Sequence, residues 1–130
     1  RGRMAQRLAE ESHIPHTDSF FTVGLFSTLE QMLHLPMEKV LAELPLSDEL
    51  NAALLHRDGP MGEALTCALA FEAGDLDADR RFGSIGEART GQLYLECVAW
   101  AHDVESSVVS AVPPPLARSN PRRRTNRRIV

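Results

Sequence analysis

Prolines and glycines divide this chain into short segments, and the apolar residues within each segment recur at helical spacing. The divisions fall at Pro15, Pro36, Pro45, the 58–60 turn and Gly74, because proline interrupts a helix and glycine readily closes one. No stretch alternates apolar and polar residues for long enough to predict a strand. The sequence therefore predicts an all-α fold, a compact bundle of several helices.

The predicted helices are bounded by capping residues and by proline. Thr17 or Asp18 should cap the second helix, which reaches Leu33, while Ser47 should cap the fourth and Gly74 should close the fifth. The remaining predicted boundaries are 3–11 for the first helix, 36–44 for the third, 61–73 for the fifth and 87–109 for the last, with a polar loop at 75–84.

The second helix is apolar on nearly every side, which predicts that it is central and buried. Its core candidates are Phe20, Val23, Leu25, Phe26, Leu29, Met32 and Leu33. Gly24 costs this helix about 1 kcal/mol relative to alanine, so we expect a neighbouring helix to pass close to it. The core candidates of the last helix are Leu93, Tyr94, Val98, Trp100, Ala101, Val104 and Val108.

Charge is distributed unevenly along the chain. Six arginines and no acidic residue lie in residues 118–130, which leaves eight basic and 18 acidic side chains, a net charge of −10, in residues 1–117. We therefore divide the chain into a helical domain, residues 1–110, and a Pro/Arg-rich tail, residues 111–130, that we expect to be disordered.

This charge distribution also bears on partners. A body so acidic should repel nucleic acid and acidic lipid surfaces, so we expect neither as a partner. The tail could contact an anion or a protein partner through its guanidinium groups. The residues concerned are Arg122, Arg123, Arg124, Arg127 and Arg128.

Other features of the sequence favour a cytoplasmic protein. Cys67 and Cys97 lie in apolar helical surroundings, and two cysteines are too few for a disulfide-stapled secreted domain. The most apolar stretch, residues 19–29, has eleven residues, whereas a membrane-spanning helix needs about twenty. We expect reduced thiols and no membrane contact. The chain opens inside a predicted helix, so we also expect it to be a piece of a longer protein.

Residues 20–55 resemble the HDOD (HD-related output) domain, and the resemblance extends over residues 3–103, the C-terminal half of such a domain. It rests on packing and turn motifs, which specify a fold better than a chemistry. These motifs are residues 23–27 (VGLFS), 35–38 (LPME), 44–47 (LPLS) and 70–75 (AFEAGD), and Tyr94 followed by Trp100-Ala101.

The resemblance implies a partial, HD-related helical domain without the metal-binding residues of the HD phosphohydrolases. HDOD domains act as regulatory output modules of bacterial signalling proteins, and some of them follow an EAL domain concerned with cyclic di-GMP. The implied partner is therefore another protein or an upstream domain of the same polypeptide, and any cyclic dinucleotide chemistry would belong to that upstream portion. A homo-oligomer is the other implied assembly, because two copies could cover a core that is divided between the two halves of the domain.

Two clusters with histidine could be taken for metal sites. His102-Asp103 matches a metal-ligating dipeptide of phosphohydrolases, but adjacent helical residues point about 100° apart and no other histidine is close in sequence. His13, His16 and Asp18 are suitably spaced, but the proline between the histidines predicts a bent loop. A metal site needs three or four converging ligands, so we assign neither cluster.

Asp75, Asp77 and Asp79 imitate the start of a calcium-binding loop. That loop requires glycine at its sixth position and glutamate at its twelfth, where this chain has arginine and glycine. Cys67 has no histidine or basic cluster near it in sequence to activate its thiol. No nucleophile elbow, phosphate-binding loop or dinucleotide fingerprint is present either. The sequence predicts no catalytic residue, no metal and no cofactor.

These observations together predict a non-catalytic regulatory or protein-interaction module of a bacterial signalling protein related to cyclic di-GMP. Two alternatives remain: a fragment of a metal-dependent HD-type phosphohydrolase, and a weak nucleic-acid binder acting through the arginine-rich tail. Stoichiometric bound transition metal would favour the first. Salt-dependent binding that is lost on deleting residues 118–130 would favour the second.

Overall fold

A computed structural model describes residues 1–75 and 81–111, and these residues form seven helices and no strand. The helices are α1 (Gly2–Glu11), α2 (Thr17–Phe26), α3 (Leu29–Leu33), α4 (Met37–Ala42), α5 (Asp48–His56), α6 (Gly59–Ala73) and α7 (Glu87–Ala111). The predicted all-α class is confirmed. None of the helices in the described ranges is long and apolar enough to cross a membrane.

Two apolar clusters hold the helices together. The first joins α1, α2, α6 and α7 around Leu8 and Leu93, and the second joins α2, α4, α5 and α6 around Val23 and Leu54. α6 contributes to both clusters, because it is apolar on opposite sides, and α2 does so through Phe20 and Val23. These two helices therefore connect the two halves of the core.

The helix ends test the predicted capping residues. Ser47 caps α5, where the backbone N–H of Leu50 donates to Ser47 Oγ at 3.3 Å, and Gly74 closes α6 in the left-handed conformation with φ 65°. Both predictions are confirmed. The cap predicted at Thr17 or Asp18 is wrong, because α2 begins after His16, which has φ 60° and makes no side-chain cap bond.

The single long helix predicted to reach Leu33 is also wrong, because it consists of α2 and α3 with a break between them. At the break the Ser27 hydroxyl donates to the Gly24 carbonyl at 2.6 Å, and the Thr28 hydroxyl donates to the Leu25 carbonyl at 2.7 Å. Hydroxyl groups that bond back to the helix in this way compete with its regular hydrogen bonds.

Beyond the break the chain leaves the core. Met32 and Leu33 of α3 are exposed, as is Leu25 at the end of α2, whereas Phe26 and Leu29 are half-buried. Only the first part of the predicted central helix is therefore buried.

The close approach expected at Gly24 is confirmed. A Cβ atom placed at Gly24 would overlap the backbone of Gly2. α1 and α2 cross at these two glycines, and the absence of both side chains allows the two backbones to touch.

The described end of the predicted polar loop, residues 81–84, contains a buried apolar side chain. Phe82 pairs with Ile85, which follows the loop, in an isolated antiparallel bridge, and both side chains are buried in the first apolar cluster. The predicted aspartate run is described only at Asp75. The tail from residue 112 onward, with the five arginines predicted as contact residues, lies outside the described residues.

Candidate interaction surface

α7 lies antiparallel to α1. Contacts between side chains on the two helices fix their register. In order along α1, these contacts are Arg3 with the Trp100 ring (5.6 Å to the centroid), Arg7 with Glu96 (3.4 Å), and Glu11 with Arg89. The start of α1 is therefore level with Trp100, in the middle of α7.

A groove of about 300 Å³ opens at the start of α1, between α1, α2, α6 and α7. Its apolar wall includes Phe21 and Leu25 from α2 and Tyr94 and Trp100 from α7. Tyr94 is held in place by Phe71, with 5.5 Å between the ring centroids. Leu25 is 52% exposed and Trp100 is 41% exposed. The groove thus presents large apolar side chains to solvent.

An ion pair closes the groove on its α6 side. Arg1 Nε and Nη2 each donate to a carboxylate oxygen of Glu72 at 2.8 Å. These hydrogen bonds raise the pKa of Arg1 and lower the pKa of Glu72. Arg1 Nη1 also donates to the Ser27 carbonyl at 3.3 Å. The pair therefore stays ionised at neutral pH and ties the start of α1 to α2 and α6.

Cys97 lines the groove together with Trp100 and is buried. Burial raises the pKa of its thiol, although Arg3 and Arg7 act in the opposite direction. The thiol is therefore protonated at neutral pH and a poor nucleophile. Cys67 and Cys97 are both buried, as the sequence predicted.

The apolar face of α7 continues past the groove. On its first half, Thr90, Leu93 and Cys97 are buried. The next residues at the same three- and four-residue spacing form the distal face, which is wholly exposed. The distal face consists of Ala101, Val104, Val108 and Ala111.

The predicted core of α7 is therefore only partly correct. Leu93 is buried and Tyr94 is half-buried, but the others are exposed: Val98, Trp100, Ala101, Val104 and Val108. The physical reason is the register of the two helices. α1 begins level with Trp100, and no helix in the described part of the chain covers α7 beyond that level.

The histidine-containing clusters lie apart from the groove lining. His13 and His16 are exposed, both have a left-handed backbone, and they flank the turn between α1 and α2. His102 and Asp103 are exposed on the distal part of α7. Within residues 1–75 and 81–111, no group of three or more His, Cys, Asp or Glu side chains could hold a metal ion.

The tripeptide Glu63-Ala64-Leu65 has the three letters after which EAL domains are named. It lies within α6, where Ala64 and Leu65 are fully buried in the two apolar clusters and Glu63 is exposed. Two of the three positions therefore serve the helical core.

Comparison with known proteins gives two relatives. The chain is 28% identical over 105 residues to a Bacillus subtilis protein named "Uncharacterized protein YuxH", covering 80% of this chain and 26% of that protein. It is 34% identical over 76 residues to "Cyclic di-GMP phosphodiesterase CdgJ" of Vibrio cholerae, covering 58% of this chain and 18% of that protein. No family model matches the chain, and no solved structure does. This chain is therefore similar to a limited part of each of the two relatives.

Proposed function

We propose that this chain is a non-catalytic interaction module of the HDOD type, in a bacterial signalling protein concerned with cyclic di-GMP. The similarity to part of a cyclic di-GMP phosphodiesterase of Vibrio cholerae supports the signalling context. The packing and turn motifs of residues 23–47 support the HDOD type. We place the module in the cytoplasm, because two cysteines are too few for a disulfide-stapled secreted domain.

The groove is the observation that carries this proposal. Exposed apolar surfaces rimmed by charged side chains are typical of protein interaction sites. Tryptophan, tyrosine and arginine dominate binding energy at such sites, and here Arg3 lies over the Trp100 ring with Tyr94 on the same wall. The partner is a protein segment, either another domain of the same polypeptide or a separate signalling protein, that places apolar side chains in the groove.

The groove also provides a route for regulation. Its walls belong to α1, α2, α6 and α7, and α6 contributes to both apolar clusters. A partner that binds one relative position of α1 and α7 more tightly than another shifts the population toward that position. The module would then transmit a change in helix packing without performing chemistry.

Changing Leu25 to aspartate tests the groove as the binding surface. The wild-type chain should bind the upstream portion of its parent polypeptide, prepared as a separate protein, in a calorimetric titration. We expect Leu25→Asp to weaken binding at least about tenfold, because a charge replaces an exposed apolar contact. The melting temperature should stay within a few degrees of wild type. If the wild-type chain and Leu25→Asp bound the upstream portion with equal affinity, the groove would be excluded as the binding surface.

The matched control for Leu25→Asp is Leu95→Asp. Leu95 is 68% exposed on α7, and it does not line the groove. This variant introduces the same charge in place of the same side chain and should keep wild-type affinity. If both variants lost the same binding affinity, the loss would be a general effect of the added negative charge.

The non-catalytic assignment predicts no hydrolysis of cyclic di-GMP or of simple phosphate esters by the purified chain, with Mg²⁺ or Mn²⁺ present. The reason is that His102 and Asp103 lack converging partners among the described residues. Product formation can be followed by chromatography against a protein-free control. Metal-dependent turnover that disappears in His102→Ala would contradict the proposal and favour the phosphohydrolase alternative.

A further inference from the structure

The distal face of α7 is an apolar strip that leads from the end of the helix to the groove. Val104 and Val108 continue the side of the helix that is buried at Leu93, but they are 41% and 58% exposed. Where the strip reaches the groove, Trp100 is 41% exposed. The strip and the groove therefore form one apolar path, which starts next to the residues that follow α7 in the sequence.

The residues that follow α7 suit an aromatic groove. Residues 112–117 read VPPPLA and carry no charge. Consecutive prolines favour the extended polyproline II conformation, and segments of this kind bind grooves that are lined by aromatic side chains. Because proline has little freedom to lose, such binding costs little conformational entropy. The groove supplies an aromatic lining with Phe21, Tyr94 and Trp100.

The length of this segment matches the length of the strip. Ala111 lies eleven residues after Trp100, or about 16 Å along the helix axis at 1.5 Å per residue. The five residues 112–116 span about 16 Å at 3.1 Å per residue in the polyproline II conformation. Pro113 disfavours the α conformation of the residue before it, so the chain leaves the helix axis there. A segment that turns back along the strip brings Leu116 level with Trp100.

Charge complementarity favours this direction. Residues 101–111 contain Asp103 and Glu105, both exposed, and no lysine or arginine. Residues 118–130 contain six arginines and no acidic residue. A segment that turns back along α7 brings these guanidinium groups toward the two carboxylates, and a segment that continues away from the helix separates them.

We propose that residues 112–116 turn back along the distal face and place Leu116 against Trp100, so that they cover the edge of the groove until a partner displaces them. This inference rests on the proposed function in taking the groove as the binding surface of the partner. A short connection gives the segment an effective concentration of about millimolar, so a weak contact is sufficient. The segment is then an intramolecular competitor of the partner.

The fluorescence of Trp100 tests the cover, because the chain contains one tryptophan. Leu116→Asp should raise the quenching of this fluorescence by acrylamide at least about 1.5-fold, since a charged side chain does not pack on the ring and leaves it open to solvent. Acrylamide is uncharged, so the added carboxylate does not itself attract or repel the quencher. Ile129→Asp is the matched control, because it adds the same charge further along the tail, and it should be quenched like wild type.

Val108→Asp tests the other side of the same contact. Its matched control is Val109→Asp, since Val109 is 68% exposed and lies one residue off the distal face. Val108→Asp should raise the quenching as Leu116→Asp does, and the double variant should add little to either, because each change breaks one shared contact. Val109→Asp should leave the quenching at the wild-type level.

Competition with the partner is measured by the calorimetric titration used for Leu25→Asp. Leu116→Asp should bind the upstream portion of the parent polypeptide at least about threefold more tightly than wild type, because the uncovered groove becomes the main population. Ile129→Asp should bind with wild-type affinity.

Three results would overturn the proposal. The first is wild-type quenching in Leu116→Asp, which would show that residues 112–116 do not cover Trp100. The second is a Leu116→Asp effect that appears only as protein concentration rises over about a hundredfold range, which would identify the tail of a second copy as the occupant. The third is raised quenching without a gain in affinity, in a protein whose Leu25→Asp variant loses binding, because the segment would then not compete with the partner.

The quenching measurements use the 130-residue chain without a partner. They can therefore succeed where the Leu25→Asp test of the proposed function fails, and they can fail where it succeeds.

Discussion

Gly62→Ala will lower the free energy of unfolding by about 2–3 kcal/mol, because the new methyl group overlaps backbone that cannot move away cheaply. Gly62 is buried in the first part of α6, and a Cβ atom there would overlap the backbone carbon and oxygen of Arg57. Arg57 is the left-handed C-cap of α5, and its side chain donates to the Leu54 carbonyl at 2.6 Å. The substitution therefore forces α5 and α6 apart.

Gly91→Ala is the control for this prediction. Gly91 lies in α7, and a Cβ atom there would approach the Phe71 ring at 3.5 Å, an ordinary contact. Alanine has a helix propensity about 1 kcal/mol better than glycine, so this variant should melt at or above the wild-type temperature. Thermal denaturation followed by circular dichroism measures both variants. A Gly62→Ala protein that melts within two degrees of wild type would show that α5 and α6 do not pack closely at this glycine.

The second large effect is expected at Leu93, the residue through which α7 joins the first apolar cluster. Leu93 is 0% exposed, and Leu93→Ala should cost about 3–4 kcal/mol, within the range for buried leucine truncations. For a domain stabilised by about 5–15 kcal/mol in total, this loss is severe. Chemical denaturation should show the transition midpoint shifted to a much lower denaturant concentration.

Leu95→Ala is the matched control, because Leu95 lies on the same helix and is 68% exposed. Its truncation should change the free energy of unfolding by less than about 0.5 kcal/mol. If the two leucine variants were equally stable, α7 would not pack on the body through the Leu93 side.

Local sequence signals predict most of the helices. α5 begins where the serine cap places it and α6 ends where the left-handed glycine places it, and both signals act over four residues or fewer. The break at Ser27-Thr28 is not predicted from local signals. The spacing of apolar residues contains no information on hydroxyl groups that donate hydrogen bonds to the backbone of the preceding turn. His16, in the left-handed region at φ 60°, escapes it because glycine or asparagine is the usual signal for that conformation.

The interaction surface is harder to predict than the helices. Spacing alone identifies the apolar stripe of α7, but the same stripe is buried at Leu93 and exposed at Val108. What separates the two positions is the register of α1 against α7, which depends on contacts such as Arg3 with Trp100 between residues far apart in sequence. The burial of Phe82 and Ile85 was missed for a similar reason, since one apolar residue in the predicted polar loop and another just after it carry no periodic signal.

The unequal support of α7 gives the helix the geometry of a lever. Its first half is fixed by the ion pairs with α1 and by Leu93, and its last eleven residues project about 16 Å beyond Trp100, at 1.5 Å per residue. A tilt of about 10° about that point displaces Ala111 by about 3 Å over such an arm. A small angular adjustment at the groove therefore becomes a displacement of atomic size at the far end of the helix.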